Sequence, residues 1–110
     1  MTDAVPMLAA LAQQTRLSIF RLLVEAGREG MCAGAIAEKL KLPAATFSFH
    51  VARLMRAKLV IARPESRFIY YAANYVVMDG LIAFLTDNCC QGSEACLPNT
   101  AFASASRKNT

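Results

Sequence analysis

The chain holds 110 residues with a formal net charge of +4, four cysteines and one histidine, and 55% of it is hydrophobic. One small domain fits that length; the mean hydropathy of +0.34 points to apolar surface shared with a second subunit, and the pI near 9.1 favours an anionic partner. No stretch approaches the ~20 continuous apolar residues that cross a membrane, and Met1-Thr2-Asp3-Ala4 opens on an acidic residue rather than the basic start of a signal peptide, so no membrane association and a cytoplasmic location are expected.

In chain order, residues 4–13 are apolar and alanine-rich (Val5, Met7, Leu8, Leu11), which predicts a short helix with Pro6 near its start. Thr15 is placed to cap a second helix. Its Ile19, Leu22, Leu23 and Ala26 follow the i, i+3, i+4, i+7 spacing of one buried face, and Gly27 stops it. Residues 32–40 predict a third helix with Ile36 and Leu40 inward. Lys41-Leu42-Pro43 is a tight connection, and Pro43 suits the first turn of the helix that follows. From Ala44 to Ala57, Phe47, Val51 and Leu54 line one face and leave Thr46, Ser48, Phe49 and Arg53 on the others. Two helices joined by so short a turn make a helix-turn-helix.

The period then changes. Leu59–Arg63 and Arg67–Tyr71 are rich in β-branched and aromatic residues, and Pro64-Glu65-Ser66 separates them, so they read as a hairpin. Asn74 is placed to cap a last helix with an apolar stripe of Val77, Leu81, Phe84 and Leu85, ending near Cys89-Cys90. Beyond Gly92 the chain is small, polar and aperiodic, and a disordered tail is expected. The predicted architecture is mainly α with a β-hairpin wing, a winged helix-turn-helix, over residues 1–90, followed by a flexible segment, 91–110.

The segment from Leu42 to Val60 resembles the recognition helix of the ArsR/SmtB family of bacterial repressors. That family runs Thr or Asn, an apolar residue, Ser, any residue, His, an apolar residue, then Leu-x-x-Ala-Gly-Leu-Val. Thr46, Ser48, His50, Leu54, Ala57, Leu59 and Val60 fall in place, and Gln14–Leu23 is similar to the family's second helix. Lys58 stands where the family has Gly, and the wing lacks the usual Asp-Gly tip. The resemblance implies a homodimer, formed through residues 5–11 and 77–85, that binds double-stranded operator DNA with two-fold symmetry. It also implies that Ala44, Ala45, Ser48 and Phe49 meet base edges, where Ser48 can hydrogen-bond and the others can touch thymine methyls. Lys41, Thr46, Arg53, Arg63 and Arg67 are the phosphate candidates. His50 is expected to pack and hydrogen-bond at the helix base, and Phe47 to lie in the core. Phe49, an aromatic on the exposed side, is unexpected unless it touches something.

Cysteine usage points to an input signal. Thiols in a reducing compartment favour metal binding or redox chemistry over a disulfide framework. The place of the family's Cys-x-Cys arsenic site reads Gly30-Met31-Cys32-Ala33-Gly34, with one cysteine only, and the last helix has Asp79 and Asp87 but no histidine for the family's zinc site. Cys89, Cys90 and Cys96 gather instead as C-C-x5-C. Three soft sulfur ligands suit trivalent arsenic or antimony, which are pyramidal, better than four-coordinate zinc. Adjacent cysteines cannot share one helix face, so the helix must end there for both to reach one ion. Cys32 is expected to be a small buried residue. Cd²⁺, Pb²⁺ or Hg²⁺ sensing and thiol redox sensing are the alternatives. A helix C-terminus and the nearby Asp87 and Glu94 oppose the low thiol pKa of a fast redox sensor. With no Cys-x-x-Cys, no phosphate loop and a single histidine, no enzyme is expected.

Overall fold

The computed structural model describes residues 3–89. Over them the chain forms α1 (Ala4–Leu11), α2 (Gln14–Ala26), β1 (Met31–Cys32), α3 (Ala33–Leu40), α4 (Ala44–Arg56), β2 (Val60–Glu65), β3 (Phe68–Ala73) and α5 (Tyr75–Thr86). This is the mainly α, winged helix-turn-helix architecture that the periodicity predicts, with one strand more. The helices enclose a core of Ile19, Leu23, Ile36, Phe47, Leu54 and Leu59, and the ring of Phe47 meets Tyr71 of β3 edge-on at 5.5 Å.

Several element ends differ from the sequence expectation, each for a local reason. α1 stops at Leu11, not residue 13, because Gln13 adopts an extended conformation and caps α2: its side chain, not that of Thr15, accepts from Arg16 N–H at 2.8 Å. A glutamine seldom caps a helix, which is why Thr15 was the expected residue. Pro43 sits at the N-cap of α4, one residue before its first turn, and α4 ends at Arg56 rather than Ala57.

The sheet order is β1-β3-β2. β1 is too short to carry a periodic signal; Met31 and Cys32 pair with Tyr71 and Tyr70. Gly30 makes this pairing possible, since its φ is +77° and a Cβ there would collide with the Tyr71 carbonyl. Cys32 is therefore half-buried at the entrance to α3 rather than buried. The hairpin turn is Ser66-Arg67, with Glu65 opposite Phe68, so Pro64 and Glu65 belong to β2 and Arg67 to the turn. Pro64 is tolerated because β2 is an edge strand, where a missing N–H breaks no ladder. Ser66 takes the positive φ (58°) that so tight a turn requires.

Both helices of the helix-turn-helix end in the same way. After α3, Lys41 N–H donates to Glu38 O (3.2 Å) and Leu42 N–H to Ala37 O (2.8 Å). After α4, Lys58 N–H donates to Met55 O (2.9 Å) and Leu59 N–H to Leu54 O (3.0 Å). These paired closures put Lys41 (φ 57°) and Lys58 (φ 68°) in the left-handed conformation that favours glycine. The departure of Lys58 from the family's Gly thus falls on a strained position.

α5 is tied to the rest at its start. Asn74 accepts from Val77 N–H (3.3 Å), as expected of a cap, and its Nδ2 donates to Lys58 O (3.1 Å). Its own N–H donates to Leu59 O (2.8 Å). Tyr75 OH donates to Val24 O (2.9 Å), at the end of α2.

Candidate nucleic-acid interface

α4 divides its residues cleanly. Phe47, Val51 and Leu54 are buried, while Ala44, Ala45, Ser48, Phe49, Ala52, Arg53 and Arg56 are exposed. The spacing i, i+4 places Ser48, Ala52 and Arg56 in one row and Ala45, Phe49 and Arg53 in the next. Ala44 and Ala45 are small and sit on the first turn, so another surface can approach the backbone there. Thr46 is half-buried. No side chain caps this N-terminus; the first intrahelical bond is Phe47 N–H to Pro43 O (3.0 Å), which leaves the N–H groups of residues 44–46 without helical acceptors. Such a helix end favours an anion.

Phe49 is 53% exposed, and its contacts explain an aromatic in that place. The Arg53 guanidinium lies over its ring at 4.4 Å, and the His50 ring meets it edge-on at 5.1 Å. This cation–π contact keeps the Arg53 guanidinium beside the ring, so cation and aromatic are presented together. His50 receives a bond from Arg16, whose Nη1 is 3.2 Å from Nδ1, while Arg16 Nε donates to Ala10 O at 2.7 Å. Arginine can only donate, so Nδ1 must accept and the imidazole is neutral. Burial, then the adjacent charges of Arg16 and Arg53, hold its pKa below the ordinary histidine range.

The other phosphate candidates are placed unequally. Lys41 is exposed at the turn before α4, where its charge also favours the C-terminus of α3. Arg67 stands at the tip of the wing. Arg63 is engaged within the wing: Nη2 donates to Glu29 O (3.1 Å), Nε lies 3.7 Å from Glu65, and its guanidinium lies 5.5 Å from the Tyr70 ring centre. Arg56 and Arg16 escaped the sequence reading. Arg56 lies one turn beyond Arg53 on the same exposed side, a spacing that could have identified it. The role of Arg16 depends on α1 packing beside α4, which no local pattern reveals.

Cys89 lies beyond the end of α5, not on α4 or the wing. α5 ends at Thr86, Asn88 takes a φ of 59°, and Cys89 follows, exposed, in a 3₁₀ turn. Cys90 and Cys96 lie outside the described residues, as does the segment 91–110. Among the described residues, no three His, Cys, Asp or Glu side chains are grouped to hold a metal ion. No helix among them is long and apolar enough to cross a membrane.

Comparisons with known proteins agree with this geometry. A family described as a helix-turn-helix domain matches residues 11–61. The uncharacterised helix-turn-helix transcriptional regulator MJ1325 of Methanocaldococcus jannaschii is 40% identical over 70 residues, 64% of this chain and 73% of that protein. The solved structure of HlyU from Vibrio cholerae, named a transcriptional activator, superposes with a TM-score of 0.65 at 28% identity, over 81% of this chain and 94% of HlyU. An ArsR-like transcriptional regulator from Rhodococcus sp. RHA1 gives 0.68 at 25% identity, over 76% of each chain. For the fold alone, the homodimeric winged helix-turn-helix DNA-binding domain Mb0332 of Mycobacterium bovis gives 0.62 at 24% identity, over 84% of this chain and 86% of that domain.

Proposed function

The chain belongs to the helix-turn-helix transcriptional regulators of the ArsR/SmtB-like winged-helix family, and from that premise we propose that it is a homodimeric operator repressor released by trivalent arsenic or antimony on Cys89, Cys90 and Cys96. The observation that carries the DNA half is the exposed face of α4, where Ser48, the Phe49–Arg53 pair and an uncapped N-terminus stand together. Ser48 and Phe49 read base edges, and Lys41, Thr46, Arg53 and Arg67 fix phosphates. Arg63 steadies the wing that carries Arg67 and adds a phosphate contact only through what its internal partners leave open.

Support for the sensing half is the chemistry of the donor set together with the end of α5. Three thiolates match a pyramidal, thiophilic ion, and α5 ends at Thr86, before Cys89. The bound ion would supply three sulfur bonds tying the segment after α5 to its end. Asn74 then gives a physical route for a shift of α5 to reach DNA, because it holds both Lys58 O and Leu59 O at the end of the recognition helix. A switch of this kind requires the operator-bound form to hold the ion more weakly.

The deciding experiment is a fluorescence titration of the reduced dimer on a candidate inverted-repeat duplex at fixed salt, with and without arsenite, antimonite, Cd²⁺ and Zn²⁺. Release by arsenite and antimonite alone supports the proposal, and Cys89→Ser, Cys90→Ser and Cys96→Ser should then repress without induction. Unchanged induction in all three variants would sink the thiolate site. Thiol oxidation is the second reading, favoured by the exposure of Cys89 and by the similarity to a structure of reduced HlyU, at TM-score 0.64 and 28% identity. Release on oxidation alone, with indifference to all four ions, would establish it.

A further inference from the structure

Between α1 and the C-terminal half of α4 runs an open groove of about 230 Å³, bounded on α1 by Pro6, Ala9 and Ala10 and on the other side by Arg16, Arg53 and Arg56. No Asp or Glu lines it. The ion pairs among the described residues are Arg21–Glu25 and Arg63–Glu65, so the three arginines that line this groove have no carboxylate partner among the described residues. Like charges gathered at one concavity repel, and an anion between them relieves that repulsion.

Two of the three arginines are already oriented. Arg16 is fixed by Ala10 O and by His50, which occupy Nε and Nη1 and leave the rest of its fork to the groove. The Arg53 guanidinium is held over the Phe49 ring. The Arg56 side chain has neither an ion pair nor a hydrogen bond among the described residues. Side chains ordered in advance lose less freedom on binding, and planar forks match the oxygens of a tetrahedral anion in pairs. The alanines and proline opposite offer no hydrogen-bonding side chain to compete.

We propose that this groove binds one phosphate-class oxyanion, and that its occupant, which rests on the operator-binding reading above, is a backbone phosphate of the duplex lying along the outer face of α4. The contact would add Arg16 and Arg56, which sit behind the base-reading positions, to the operator interface. Free inorganic phosphate presents the same chemistry and is the other source to separate.

The test uses the full chain with two variants, Arg56→Gln, which removes one fork, and Ala9→Glu, which puts a carboxylate on the opposite wall from an exposed helix position. Circular dichroism and sedimentation verify that each folds and keeps the parent's oligomeric state, the second because Ala9 falls within the residues 5–11 expected at the subunit contact. Duplex affinity is measured across a salt series, and inorganic phosphate is titrated into the DNA-free protein while arginine Nε resonances are followed, with chloride as control. In both variants the slope of log affinity against log salt should fall in magnitude by about one, the signature of one lost phosphate contact. Phosphate shifting the Arg16, Arg53 and Arg56 resonances in the parent but not in Ala9→Glu, with an unchanged duplex slope, would confirm the oxyanion site and overturn its assignment to the duplex. Unchanged slopes with no phosphate response would overturn the site itself. If the parent binds no duplex, the operator reading fails and the phosphate titration alone decides the groove.

Discussion

Two exposed faces of this small protein differ in kind. The outer side of α4, with the turn before it and the wing tip, carries Lys41, Ser48, Phe49, Arg53, Arg56 and Arg67. The other face is formed by α1 and α5, which contain no lysine or arginine, and by the adjoining side of α2. There Val5, Leu8, Leu17, Val76, Ile82, Phe84 and Leu85 are exposed, Val76 to 80%. An apolar groove of about 320 Å³ between α2 and α5, bordered by Leu11, Leu17, Leu81, Ile82 and Leu85, continues it. A basic pI and a high mean hydropathy in one chain conflict less once the exposed apolar surface of α1 and α5 lies apart from the basic face of α4, although Ile61, Phe68 and Ile69 on the wing are exposed as well. Each face calls for a different partner, an anion for one and a second apolar surface for the other.

The largest effect should come from giving the apolar face the character of a polar one. Ile82→Glu with Leu85→Glu leaves the fold intact, because both side chains are exposed in the single chain, but buries two carboxylates wherever a second subunit packs. Sedimentation should show a monomer. Duplex affinity should fall by about two orders of magnitude or more, since loss of a central interface contact costs upwards of about 2 kcal/mol and two linked half-sites become one. A dimer that survives both substitutions would place the subunit contact elsewhere.

Changes on the α4 face should cost less and leave the oligomer alone. Phe49→Ala and Arg53→Ala should each weaken specific binding by about 1–3 kcal/mol. They are expected to differ in kind: Arg53→Ala lowers the salt dependence, and Phe49→Ala narrows the gap between operator and scrambled duplex. Equal losses on both duplexes for Phe49→Ala would remove it from base reading.

Asn74→Ala addresses the link between the faces. Loss of the cap should lower stability by about 1 kcal/mol in denaturant unfolding. Because the Asn74 side chain also holds Lys58 O, and only the backbone bond to Leu59 O survives in alanine, the variant should keep operator affinity while responding less to the inducer than its stability loss explains. Full induction at reduced stability would make Asn74 a cap and nothing more.

Much of this is legible in the amino-acid sequence. The buried stripe Phe47, Val51 and Leu54, the Asn74 cap and the wing strands follow from spacing and residue type, and the Thr46–Val60 pattern carries the family. What stayed hidden depends on contacts distant in sequence. β1 exists because Gly30 lets two residues reach Tyr70 and Tyr71, and a pair so short has no period of its own. The engagement of Arg63 needs Glu29 brought against the wing, 34 residues away in sequence. The Arg16–His50 bond spans the same separation and joins α2 to α4. Capping of α2 by Gln13 went against residue preference, which is a local rule overruled by the packing of α1.

Smaller effects sharpen the comparison of the faces at two matched lysines. Lys41 and Lys58 hold the same left-handed position after successive helices, so glycine at either should raise stability by up to about 1 kcal/mol, less the loss of a favourable charge at a helix C-terminus. Only Lys41 adjoins the N-terminal, base-reading end of α4. Lys41→Gly should therefore weaken duplex binding while Lys58→Gly leaves it nearly unchanged, and a reversed outcome would move the phosphate contact to the wing side of α4.

The finest test is of His50, where α2 and α4 meet. Its neutral ring accepts from Arg16, and burial with the charges of Arg16 and Arg53 depresses its folded pKa. A depressed base takes up its proton more readily when unfolded, so between its folded and unfolded values the unfolded chain holds more protons and stability rises with pH. The contribution is complete above about pH 6.5, the unfolded value, and is lost as pH falls through the folded one. His50→Asn keeps an acceptor for Arg16 but cannot titrate. Its stability should vary less than the parent's just below pH 6.5, while both chains lose stability alike at the lower pH where carboxylates protonate. An identical slope in the two chains would mean that the ring does not titrate with folding, and that Arg16 holds α2 to α4 in the same way at every pH.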